Sequence, residues 1–67
     1  MNDWKNPKKE YPTLEKEVEV IYKSPLNDLK YMGIAIYKGN NKWLINGEFF
    51  STDNIISWSP IVTMYYR

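Results

Sequence analysis

Apolar and polar residues begin to alternate at residue 17. In EVEVIYK (17–23), Val18, Val20 and Tyr22 fall on one face of an extended segment. Glu17, Glu19 and Lys23 share the other face with Ile21. A period of two carried by β-branched residues predicts a half-buried strand. KYMGIAIYK (30–38) predicts a second strand, with Met32, Ile34 and Ile36 on one face and Tyr31, Gly33, Ala35 and Tyr37 on the other. That second face is small in the middle and aromatic at both ends. Gly33 inside a strand predicts a bulge, a sharp bend, or a backbone or ring lying close by. KWLI (42–45) predicts a third strand with Trp43 and Ile45 opposed to Leu44, and EFF (48–50) a fourth returning antiparallel. IISWS (55–59) and IVTMYY (61–66) are two further extended runs, hinged at Pro60. In the first of these Ile56 and Trp58 share a face and are expected in the core, with Ser57 and Ser59 turned away. Pro60 has no N–H to donate and ends that ladder.

The segments between these runs have turn chemistry. SPLNDL (24–29), GNN (39–41) and STDN (51–54) carry the Pro, Gly, Asn, Asp and Ser expected of turns. Asn46-Gly47 is the strongest hairpin signal, because both central positions of a type I′ turn require positive φ. Residues 1–16 read as an irregular arm. Pro7 and Pro12 hold Asn6 and Tyr11 extended, and TLEKE (13–17) is too short to nucleate a helix alone. Trp4 and Tyr11 are expected to pin the arm to the body. Residues 17–66 then form a meander, and 1–67 a single small domain. The expected class is all-β: a small SH3-like barrel, or a strongly bent antiparallel meander of five to six short strands.

Composition narrows the chemistry. A chain of 67 residues buries only about 60% of its unfolded surface, so it needs compensation for a small core. With no Cys and no His, neither a disulfide nor a Cys/His zinc site can supply it. Large rings and oligomerisation remain. Three Trp, six Tyr and two Phe each bring about 150–250 Å² of buriable surface. The net charge of +1 gives no global field toward nucleic acid or acidic membranes. No apolar run approaches the roughly 18 residues of a membrane span, and MNDWKNPKKEY lacks the apolar stretch of a signal peptide. A cytosolic protein without membrane association is expected.

The order and spacing of Trp4, Tyr11-Pro12, VEVIY (18–22), GIAIY (33–37), Trp43 and IISWSPI (55–61) resemble a family of short phage and prophage proteins of unknown function. Its members carry a Trp near the start, a Leu-Pro turn, a Val-rich strand ending in Tyr, a second strand, a lone Trp and a terminal Trp-x-Pro-Leu/Ile box. The resemblance covers residues 4–61. It departs at Tyr11, where the family has Leu, and in VTMYYR (62–67), where the family has a proline-rich tail. It implies a phage setting, and with it the bacterial host cytoplasm, but no activity.

Without His or Cys there is no common catalytic triad and no thiolate nucleophile. Glu17 and Glu19 sit about 7 Å apart on one strand face. That separation could mimic a catalytic carboxylate pair, but a solvated strand face accounts for it. Asp28, Glu48 and Asp53 lie in or beside turns, and there is no glycine-rich phosphate loop. No enzyme activity, cofactor or metal is expected. Three binding readings remain. The first is a phage accessory protein that binds a bacterial host protein, in its sharpest form inhibiting a defence or replication enzyme. The second is a single-stranded nucleic-acid-binding barrel, with Tyr31, Tyr37 and Trp43 as a stacking surface beside Lys30, Lys38 and Lys42. The third is a structural or assembly accessory of the particle. Trp43 and Trp58 are expected in the core. Tyr65 and Tyr66 point to opposite faces, so one sheet cannot bury both. The last run, with Ile61, Thr63, Met64, Tyr65 and Tyr66, is therefore the expected partner-binding edge, through a two-fold homodimer or strand addition to a target.

Overall fold

The computed structural model describes residues 4–61. Within them the chain is all-β, a bent antiparallel meander of five strands. These are β1 (Glu17–Lys23), β2 (Lys30–Gly39), β3 (Lys42–Ile45), β4 (Glu48–Ser51) and β5 (Ile55–Pro60), with one 3₁₀ turn, Thr52–Asn54, between the last two. The sheet order is β4-β3-β2-β1-β5, so β5 returns beside the first strand. The barrel does not close: β4 and β5 are the two edges. The sixth run expected from residue 61 onward falls largely outside the described residues, as do Thr63, Met64, Tyr65 and Tyr66. Ile61, the last described residue, is not in a strand.

The turns follow from their residues. Asn46 (φ 52°) and Gly47 (φ 80°) both take positive φ in the β3–β4 hairpin. The β2–β3 connection is left-handed throughout, at Gly39 (87°), Asn40 (52°) and Asn41 (62°). The β1–β2 connection is tied by the Ser24 hydroxyl, which accepts from Leu26 N–H, and by the Asn27 side chain, which accepts from Leu29 N–H.

One face of the sheet is the core. Val18 and Val20 of β1 lie opposite Ala35 and Gly33 of β2, and Ala35 and Tyr37 lie opposite Ile45 and Trp43 of β3. All except Gly33 are buried, Val20, Ala35 and Trp43 completely. The close ring expected near Gly33 is Tyr22, whose Cε1 would lie 3.3 Å from a Cβ placed there. In β5 one expectation is corrected. Ile55, not Ile56, joins Trp58 in the core, and Ile56 is 41% exposed. Tyr22 pairs with Ile55 while the adjacent Ile21 pairs with Ser57, so Ile56 is an extra residue opposite none. Such a bulge reverses the facing of everything before it.

The arm is held at several points. Lys5 and Trp58 exchange backbone hydrogen bonds of 2.7 and 3.1 Å across the free side of β5. Pro7 is fully buried, and the Trp58 indole donates to the Glu10 carbonyl at 2.8 Å. The Tyr11 ring stacks on Tyr37 at 4.9 Å and 4°. Around Glu15 (φ 67°) the TLEKE stretch is a turn, not a helix.

Candidate functional site

The expected stacking surface is taken apart by the fold. Tyr37 is 6% exposed, covered by Tyr11 and tilted against Trp43 at 4.9 Å. Trp43 is wholly buried, and its indole N–H donates to the Thr52 hydroxyl at 2.9 Å. Thr52 in turn donates to the Asn41 side chain at 3.0 Å. Tyr37 belongs to the core because Trp43, its partner in register, and Ala35, two residues back on β2, face the same way as Val18 and Val20. Tyr31 alone of these rings is exposed, leaning on Tyr22 at 5.7 Å. Lys38 pairs with Glu15 at 2.7 Å. Lys42 stands on the opposite face from Trp43, exposed. The expected residues are therefore split between two faces.

The opposite, outer face of the sheet carries what the core face does not. Three pairings build it: Ile21 opposite Met32, Ile36 opposite Leu44, and Leu44 opposite Phe49. Ile34 lies between Met32 and Ile36 on β2. These six apolar side chains form an L whose corner is Ile36. One arm runs down β2 to Met32 and across to Ile21, and the other crosses β3 to β4. Met32 is 66% exposed, Phe49 61% and Ile34 46%; Ile21, Ile36 and Leu44 are half-buried among them. Contiguous exposed apolar surface, as opposed to scattered single residues, marks contact sites. Around the L stand Glu17 and Glu19 on the β1 side, Lys38 and Lys42 beyond the corner, and Lys23 and Lys30 beyond Met32.

Glu17 and Glu19 are thus next neighbours on this outer face, beside Ile36 and Ile34. Among the described residues no group of three or more His, Cys, Asp or Glu side chains converges as a metal site, and no helix is long and apolar enough to cross a membrane. A shallow cleft of about 280 Å³ lies between the arm and the end of β5, lined by Thr13, Lys16, Glu17, Trp58, Pro60 and Ile61 among others. Ile61 is the one residue of the expected partner-binding edge that the structure describes, and it is 37% exposed.

The L was present in the sequence as a surplus. β2 is apolar on both faces, and Leu44 opposes Trp43, which is expected in the core. One sheet face must then carry apolar side chains outward. No family model, curated protein or solved structure matches the chain.

Proposed function

We propose that the chain is a non-catalytic protein-binding module that meets its partner with the outer face of the sheet. The observation that carries this reading is the L-shaped apolar surface around Ile36, with Met32 and Phe49 each more than half exposed. A chain this small has little apolar surface to spare, and leaving six such side chains outward is costly unless something covers them. The resemblance to phage and prophage proteins would make the partner a bacterial host protein, a defence or replication enzyme being the sharpest form. Base stacking draws no support from Tyr37 and Trp43, since both are buried.

Immobilised full-length chain, Met32→Glu and Phe49→Glu are exposed in parallel to bacterial lysate and the retained material identified. Proteins held by the wild type and lost by both variants are the expected result. Retention of nucleic acid in place of protein, or a protein held equally by all three, refutes it.

A further inference from the structure

We infer that, when no other partner occupies it, the outer face is covered by a second copy of the chain, packed sheet on sheet with the strands crossing near a right angle. The inference rests on the reading of this face as the contact surface and says what fills it first. Neighbouring strands lie about 4.8 Å apart, and two residues along a strand advance about 6.8 Å. From the corner at Ile36 one arm of the L therefore runs about 14 Å to Met32, and the other about 10 Å to Phe49. The two arms differ by only about 4 Å, so the L is close to symmetric about the diagonal of its corner, with Ile21 left outside the match. A two-fold axis lying along that diagonal, in the plane of contact, exchanges the arms. It seats Phe49 of each copy between Ile34 and Met32 of the other, and Leu44 against Ile34.

The same rotation disposes of the charges. Glu17 stands one strand outward from the corner and is carried onto the Lys38 end of β2, where Lys38 already pairs with Glu15. Glu19, one step further along β1, is carried onto Lys42. Glu17, Glu19 and Lys42 have no ion-pair partner among the described residues. A two-fold parallel to the strands would instead bring Lys38 against Lys42 and lay Glu17 over Phe49, pairing like charges and burying a carboxylate on a ring. Of these two axes, the diagonal one matches both shape and sign. It gives an isologous contact with the orthogonal sheet packing known within proteins. Arms of this length place the contact at the small end of interfaces, below about 1,200 Å² in total. The dimer is expected in the micromolar to millimolar range, weak enough for a tighter partner to displace it.

Sedimentation equilibrium of the full chain over that range tests the inference. The expected result is a concentration-dependent dimer. Phe49→Glu weakens it about a hundredfold, as a central anchor would. Glu19→Lys and Lys42→Glu each weaken it about fivefold, and the double variant Glu19→Lys/Lys42→Glu recovers wild-type association. Recovery in the double variant excludes misfolding as the cause of the single losses. A monomer throughout the range, a dimer indifferent to Phe49→Glu, or single losses that the double variant does not recover overturns the inference. The two readings fail separately. A monomeric wild type whose protein capture is still abolished by Phe49→Glu leaves the binding function standing and the dimer refuted. A dimer sensitive to the charge swap, with capture indifferent to the face variants, does the reverse.

Discussion

Gly33 is the glycine whose added Cβ would come closest to a neighbouring side chain. A Cβ there would lie 3.3 Å from Tyr22 Cε1 and 3.7 Å from Ile45 Cγ2. Tyr22 has little freedom to retreat, because its ring is flanked by Tyr31 at 5.7 Å and by the edge of Phe50 at 5.1 Å. Gly33→Ala sets a relief of about 0.5–1 kcal/mol, from leaving glycine in a strand, against one tight contact. It should fall within about 1 kcal/mol of wild type. Gly33→Val gains up to about 1 kcal/mol of strand propensity. Its extra methyls enter the space between Tyr22 and Ile45, at an overpacking cost of about 1–3 kcal/mol. Displacing the Tyr22–Phe50 contact costs a further 0.5–1.5 kcal/mol or about that. The net is a loss of about 2 kcal/mol, or roughly 8–16 °C in Tm for a domain of this size. Urea titration followed by tryptophan fluorescence measures it. Ile34→Val, one residue along on the outer face, is the control and should stay near wild type. A valine at position 33 that leaves the midpoint unchanged refutes the close approach of Tyr22.

Two further substitutions separate other contributions. Thr52→Val keeps the shape but leaves the buried Trp43 N–H without its 2.9 Å acceptor, so urea titration should show a loss of about 1–3 kcal/mol; an unchanged midpoint would mean that the indole finds another acceptor. Gly47→Ala meets no atom within 4 Å but must hold φ at +80°, a backbone cost of about 1–2 kcal/mol visible as a lowered Tm with dimerisation unaffected.

Strand positions, the Asn46-Gly47 hairpin and the core roles of Trp43 and Trp58 were legible because each depends on residues adjacent in sequence. Period-two alternation and positive-φ turn residues are local signals. Two features were not. The facing of β5 depends on a bulge opposite the Ile21–Tyr22 junction, and nothing in IISWS alone says where the extra residue sits. The role of Tyr37 depends on register with β3 and on the arm folding back to stack Tyr11 upon it, a contact across 26 positions of chain. Until that register is known, a Tyr flanked by Lys reads equally well as surface. The outer L lies between these cases. Its members were visible as apolar residues on the second face of each strand, but only the sheet order makes them neighbours.

That order also bears on how a partner can attach. An edge strand normally offers unpaired N–H and C=O groups to a visiting strand. On β5 the arm has already taken the central pair, since Lys5 satisfies both backbone groups of Trp58. Pro60, at the end of the same strand, has no N–H to give. The Trp58 indole fastens the arm a second time through Glu10, and buried Pro7 a third. Strand addition along β5 would have to displace all of these contacts before gaining its own. β4 offers only four residues, Glu48–Ser51, and its most exposed ring, Phe49, already points into the L. Among the described residues the fold thus covers one edge, keeps the other short, and leaves its exposed apolar surface on a face. For the proposed contact, the described residues favour face-to-face packing over pairing along β4 or β5.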